Sequence, residues 1–227
     1  MPISDPAVSR LPLYRAIAAE ALGRGEAFIS CTTIAEQLNL RPVLVRKDLE
    51  STGVSGQPRR GFRTSELLRS LEESLAWGGL NKACLIGAGR LGSALLEYPH
   101  FSRFGLNLLA GFDIDRSKVG LTIGGKPVYP LERLASFARQ EGVLIAVLTV
   151  PAEAAQRAAD LAVQAGIRGL WNFSEVQPVV PSEVIVQRVE LAASLALLSK
   201  RMTEALRSQG AAPGLSKALD GHIPFNA

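Results

Sequence analysis

Apolar residues recur every three or four positions from residue 9 to about residue 76. After residue 82 they gather instead into short unbroken runs separated by stretches of helical spacing. The first pattern belongs to amphipathic helices and the second to buried strands alternating with helices, so the chain reads as a helical unit followed by a doubly wound α/β unit with a parallel sheet. In the first unit, Ser9-Arg10-Leu11-Pro12 opens a helix, with Leu13, Ile17, Ala21 and Leu22 as its expected apolar stripe until Gly23 and Gly25 stop it. Thr33 and Glu36 have capping-box spacing, predicting a short helix with Ile34, Ala35 and Leu38 inward. Asn39-Leu40-Arg41 has the length of a helix-turn-helix turn. Pro42 then starts a third helix, with Val43, Val45 and Leu49 as inward candidates and Gly53 as its end. Gly53, Gly56, Pro58 and Gly61 supply turn chemistry for a two-stranded wing over Ser51 to Gly61, with Arg59 and Arg60 at its tip. Thr64 is expected to cap a helix over 65–76, and Gly78-Gly79 to form the joint.

Beyond the joint the pattern predicts strands over 82–86, 106–113, 126–129, 143–150, 168–173 and 184–189, and helices over 90–97, 131–140 and 152–165. A long last helix runs from Glu190 to about Leu206 with Leu191, Leu195, Leu197, Leu198 and Met202 apolar. Such a helix packs on its own sheet or reaches into a partner subunit. The remainder, rich in Gly, Ala, Ser and Pro, is expected to be disordered. The expected division is therefore 1–79 winged helix, 80–189 nucleotide-binding domain, 190–206 dimerisation helix and 207–227 tail.

With 227 residues, 47% of them hydrophobic, the chain supports one large domain or two of which one is small. No apolar stretch is long enough to span a bilayer, and Met1-Pro2-Ile3-Ser4-Asp5 lacks the features of a signal peptide, so no membrane partner and a cytoplasmic location are expected. Cys31 and Cys84, the only cysteines, suit neither a disulfide framework nor a zinc site, and no metal is expected. Net charge is +4, and residues 41 to 63 alone carry six cations against two acids, an excess that equals that of the whole chain. On a helix-turn-helix the third of these helices enters the major groove, which makes Arg46 and Lys47 candidates for base edges or phosphates of double-stranded DNA. Arg59 and Arg60 would contact the backbone or minor groove. Arg41 stands where a helix cap belongs and its charge opposes the helix dipole; an arriving phosphate or plain exposure to solvent would each accommodate it.

Gly87-Ala88-Gly89-Arg90-Leu91-Gly92 follows the apolar run Ala83-Cys84-Leu85-Ile86 and precedes a helix. In a dinucleotide fingerprint the first glycine makes the tight turn, the second admits pyrophosphate to backbone N–H groups and the third lets helix pack on strand. Asp113 closes the second apolar run about 20 residues on, where a carboxylate accepts both hydroxyls of an adenosine ribose and repels a 2′-phosphate, favouring NAD. Thr149 and Pro151, at the end of the strand over 143–150, should line the crevice. Arg116 and Lys118 would tolerate an extra phosphate or stay solvated.

Ser9 to Tyr14, Val45-Arg46-Lys47-Asp48-Leu49, Gly87 to Leu95, Phe112 to Asp115, Leu148 to Gln156 and Asn172-Phe173 together resemble the Rex family of redox-sensing transcriptional repressors, over both domains from about Ser9 to Met202. The resemblance implies a homodimer with swapped C-terminal helices that binds operator DNA when NAD⁺ prevails and releases it when NADH binds. It also implies that Tyr98 sits near the nicotinamide pocket and that Arg10 forms a polar switch with an acid at the start of the last helix. That acid is Glu190 here, where the family commonly has aspartate. The wing departs further, since Glu50-Ser51-Thr52-Gly53 lacks the family's aromatic pair.

Two other functions fit parts of this pattern. A small NAD-dependent dehydrogenase needs a proton-transfer group near the nicotinamide, for which Tyr98, His100 and His222 are poor candidates, Tyr98 being as readily a packing residue. A metabolite-binding regulator using coenzyme A fits the same glycine loop. The reading taken is a non-enzymatic repressor with NAD(H) as its ligand.

Overall fold

The computed structural model describes residues 3–77 and 81–208. The Gly78-Gly79 joint and nearly all of the expected tail lie outside the described residues. The N-terminal part contains α1 (Asp5–Val8), α2 (Leu11–Gly23), β1 (Phe28–Ile29), α3 (Cys31–Leu38), α4 (Pro42–Ser51), β2 (Phe62–Arg63) and α5 (Thr64–Ser74). Its core joins Leu11, Tyr14, Ile17, Ala18 and Ala21 of α2 to Ile34 of α3, Val45 and Leu49 of α4, and Leu67 and Leu71 of α5. Packing corrects the expected stripes: Leu13, Leu22 and Val43 are exposed, and Tyr14 and Asp48 are buried in their place. The residues that face inward along α4 are Val45, Asp48 and Leu49, at the three- and four-residue spacing of one helix face.

Two caps differ from the sequence expectation. The α3 cap is Ser30, whose hydroxyl accepts the Thr33 amide at 3.0 Å, and Thr33 lies inside the helix. Thr64 is the first residue of α5, not its cap, and its hydroxyl donates to the Glu26 carbonyl at 2.7 Å. The wing is also smaller than expected. Residues 51–61 hold one bridge, Gln57 to Gly61, and β2 pairs antiparallel with the upstream β1. Gly61 permits this turn: at φ +84° it presses so closely on Ile29 and Ser30 that a Cβ would strike their backbone. The result is a winged helix with a short wing.

The second part runs β3 (Asn81–Ile86), α6 (Arg90–Glu97), β4 (Leu106–Asp113), β5 (Thr122–Ile123), β6 (Lys126–Pro130), α7 (Leu134–Glu141), β7 (Ile145–Leu148), α8 (Ala152–Gln164), β8 (Gly169–Asn172), β9 (Ile185–Arg188) and α9 (Leu191–Ser208). The sheet order is β5-β6-β4-β3-β7-β8-β9, with only the short β5 antiparallel to its neighbour. That edge strand was not expected from the sequence. One face packs Cys84, Ile86, Phe112 and Leu148 against Ala158, Ala159 and Ala162 of α8 and Leu134 and Ala138 of α7. The other packs Ala83, Leu85 and Leu108 against Leu96 of α6. This is a Rossmann-like doubly wound sheet. The chain runs from β3 toward β4 and β6 on one side, then crosses to β7 on the other, so a crevice is left at the carboxyl ends of β3 and β7.

Both cysteines are free and buried. Burial pushes the Cys84 thiol up to about 12. α9 does not pack on the sheet of its own chain: Leu191, Leu195, Leu197, Leu198 and Met202 are all at least half exposed.

Candidate nucleotide and nucleic-acid sites

A cleft of about 920 Å³ opens at that crossover. Its floor is the loop after β3, where each glycine has a separate physical reason. Gly87 has φ +99°, and a Cβ there would come within 2.8 Å of the Val150 side chain and 2.9 Å of the Thr149 carbonyl oxygen. A Cβ on Gly92 would collide with the Gly87 carbonyl, so α6 packs on β3 only without one. Gly89 meets nothing within 4 Å; the space above it is open to the cleft. Thr149 donates from its hydroxyl to the Gly87 carbonyl at 2.7 Å, and its amide donates to the Ile86 carbonyl at 3.0 Å. Thus Thr149 fastens the loop as well as lining the cleft, beside Pro151.

Asp113 is buried at the cleft lip. Its carboxylate accepts the Ala88 amide and the Asp115 amide, each at 2.8 Å, and faces the Lys118 ammonium at 3.3 Å. A carboxylate has about four lone-pair positions, so capacity remains for a hydroxyl partner. Lys118 also lies 3.5 Å from Asp115 and lines the cleft. The sequence left Lys118 open between phosphate partner and solvated charge; its site is set by the turn after β4. Hydrogen bonds from Ser117, and to a lesser degree Lys118, hold the Asp115 carboxyl below its usual range.

Leu91 lines the cleft, Ala88 is buried in the loop, and Arg90 is exposed at the start of α6. Tyr98 ends α6 and is exposed; it is not among the cleft-lining residues. Its ring meets Phe101 edge-on at 4.9 Å, Phe101 meets Trp171 at 5.8 Å, and Trp171 meets Phe173 at 4.8 Å. Phe173 forms the far wall with Ser174 and Glu175. Asn172 shapes that wall: its buried carbonyl oxygen accepts both the amide and the hydroxyl of Ser174, and its amide donates to Val176. Gln156 clamps the same segment through both the amide and the carbonyl of Val179.

Arg41, Arg46 and Lys47 are exposed around α4. Arg59 occupies the turn of the wing with φ +62°. Arg60 folds back over the Phe28 ring at 4.2 Å. Together with α3 and α4, the wing borders a hollow of about 410 Å³ lined by Ser30, Cys31, Arg46, Glu50 and Arg59. Burial raises the Cys31 thiol, and Arg46 opposes that shift.

The two expected switch residues have other partners within the chain. Arg10 donates to Asp48 from Nε at 2.7 Å and from Nη2 at 2.8 Å, and Tyr14 donates to the same carboxylate at 2.7 Å. Glu190 lies 3.7 Å from Arg188. Asp48 is a residue whose importance the sequence reading missed. Its signal was its spacing from Val45 and its position beside Leu49, which put it on the inward face.

Residues 80–176 match a family model described as "CoA binding domain", and residues 2–50 one described as "Putative DNA-binding protein N-terminus". The chain is 41% identical to a redox-sensing transcriptional repressor Rex of Treponema denticola, over 87% of this chain and 94% of that protein. It is 36% identical to the Rex of Bacteroides fragilis, over 88% and 91%. Among solved structures, the Rex-family repressor RSP in complex with NAD⁺ and operator DNA superposes with a TM-score of 0.82 at 32% identity, covering 98% of this chain and 99% of that one. RSP in complex with NADH gives 0.82 at 31%, covering 92% and 98%. With a helix-turn-helix ahead of a dinucleotide-type cleft, and this likeness along nearly the whole length, the chain belongs to the Rex family of redox-sensing transcriptional repressors.

Proposed function

We propose that this chain binds operator DNA through residues 1–79 and NAD(H) through residues 80–189, and that NADH binding releases the DNA. The observation that carries this reading is the buried Asp113 carboxylate beside the open Gly89 loop. Pyrophosphate would lie against the backbone amides at the start of α6, with Gly87, Ala88 and Gly89 forming the loop and Arg90, Leu91 and Gly92 the first turn of the helix. With one acceptor position left beside Ala88, Asp115 and Lys118, Asp113 would accept one adenosine ribose hydroxyl. Because a carboxylate repels a phosphorylated ribose, Asp113 also argues against NADPH and against coenzyme A, whose ribose carries a 3′-phosphate. Thr149 and Pro151 would border the ligand, and Tyr98 would report on it through the ring ladder to Phe173.

On the DNA side, α4 would enter the major groove with Arg46 and Lys47, with Arg41 at a phosphate and Arg59 and Arg60 on the backbone or minor groove. The exposed apolar face of α9 favours a homodimer in which residues 190–206 reach across to the partner. Glu190 would then meet the Arg10 of the other subunit. Because Arg10 already serves Asp48 within its own chain, that pairing would share or displace an existing bond. A hundredfold preference for NADH over NAD⁺ requires about 2.7 kcal/mol, within reach of one partly desolvated charge near the ring. Among the described residues no helix is long and apolar enough to cross a membrane, and we infer a cytoplasmic location from DNA binding.

The test is operator affinity measured against the NADH/NAD⁺ ratio, with NADPH and coenzyme A as comparison ligands. Affinity should fall as the ratio rises. Affinity indifferent to the ratio, or lowered equally by coenzyme A, would remove this reading.

A further inference from the structure

We infer that Asp48 sets the rotation of α4 about its own axis and thereby its sequence discrimination on DNA, acting as a positioning residue through Arg10 and Tyr14. This inference rests on the proposal that α4 is the helix that reads DNA. The carboxylate projects from the recognition helix between two cationic positions and the helix end, yet it points inward and its side chain is 6% exposed. Three donors converge on it, two from the Arg10 guanidinium at the start of α2 and one from the fully buried Tyr14 hydroxyl.

The geometry differs in kind from the apolar contacts beside it. Val45 and Leu49 bury surface against the core, but burial is not directional, so those contacts define the rotation of α4 less sharply than a hydrogen bond does. A forked guanidinium–carboxylate pair with a third hydrogen bond has preferred angles and weakens when the helix rolls. A roll of about 15° moves a group about 6 Å from the helix axis by about 1.5 Å. That displacement takes a base-edge hydrogen bond from formed to broken, whereas a flexible cation still finds a phosphate. Arg46 and Lys47 are exposed on the same turn of the helix, Lys47 opposite the buried face and Arg46 on its flank beside the hollow, so the clamp governs where their heads point. Its role is therefore in specificity more than in affinity.

Asp48→Asn keeps the shape and one acceptor oxygen but removes the charge and the fork; Tyr14→Phe removes a single bond. Full-length wild type first selects duplexes from a random-sequence pool. The best duplex and a scrambled duplex are then titrated with wild type and both variants over a range of salt. The expected result for Asp48→Asn is at least a tenfold fall in the ratio of selected to scrambled affinity, with scrambled-duplex affinity and its salt slope within twofold of wild type, and a smaller fall for Tyr14→Phe. A general loss of structure would lower both affinities together and leave no selective effect. An unchanged ratio in Asp48→Asn, or equal loss on both duplexes in both variants, overturns the inference. If wild type itself selects no sequence, the DNA-reading proposal fails instead, a distinguishable outcome.

Discussion

The carboxylate of Asp113 accepts a hydrogen bond from the amide of Ala88 at 2.8 Å, so the residue proposed to recognise ribose also holds the glycine loop against β4. Asp113→Asn should weaken NADH binding by about tenfold or more, from a lost charge-assisted acceptor of about 1.5–3 kcal/mol. It should also narrow the gap between NADH and NADPH. Titration calorimetry with both nucleotides checks this; an unchanged preference would mean that the discriminating charge lies elsewhere.

Two glycines of the fingerprint, Gly89 at the cap of α6 and Gly92 in its first turn, should respond differently to one methyl group. At Gly92 the added Cβ would strike the Gly87 carbonyl and lie 2.9 Å from the Thr149 hydroxyl, so Gly92→Ala should lower the melting temperature. Gly89→Ala meets open space and should melt within about 2 °C of wild type, an effect below about 0.5 kcal/mol. It should nevertheless lose nucleotide binding, because the methyl fills the path of the pyrophosphate. Equal melting and equal binding for the two variants would contradict this assignment.

Lys47→Ala should reduce the salt dependence of DNA binding by about one phosphate's worth, a change of about 0.9 in the slope of log K against log salt. Arg46→Ala should cost more on a selected sequence than on a scrambled one if its guanidinium reaches a base edge. Fluorescence anisotropy at several salt concentrations separates the two cases.

Tyr14 predicts a loss of stability at alkaline pH. Burial, and then the hydrogen-bonded Asp48 carboxylate, push its ionisation up to about 12, against a weaker opposing effect of Arg10. An unfolded tyrosine ionises near about 10. The folded chain holds this proton more tightly, so the contribution is complete below pH 10 and is lost as pH rises through about 12. Unfolding midpoints compared between wild type and Tyr14→Phe should converge over that window. Parallel curves from pH 9 to 12 would show that the phenol carries none of the loss.

Leu195→Glu with Leu198→Glu should leave the fold of each chain intact, because both side chains are more than half exposed within it. The double variant should run as a monomer in light scattering and bind a two-half-site operator much more weakly than wild type. A dimer that survives both changes would place the interface away from α9.

How much of this was legible before the structure depended on whether neighbours in sequence carried the signal. The glycine loop, the strand before it and the acid after it depend on local backbone and short connections, and all fell where their spacing predicted. Long apolar runs marked β3, β4 and β7 because both faces of a central strand are buried. The two-residue β5 carried too few residues for any period to register.

Sequence alone determined the order of helix-turn-helix and doubly wound sheet, the glycine loop and the basic segment, because periodicity and turn chemistry act over a few residues. Tertiary structure alone decided that β2 pairs with β1 instead of completing a long wing, that Lys118 turns to Asp113, and that Arg10 is committed to Asp48. Each of those joins residues through space, where the lowest-energy partner is set by which surfaces the core brings together. Hydrophobic spacing says that a helix face is inward; only the packed chain says that the carboxylate on that face finds an arginine 38 residues away.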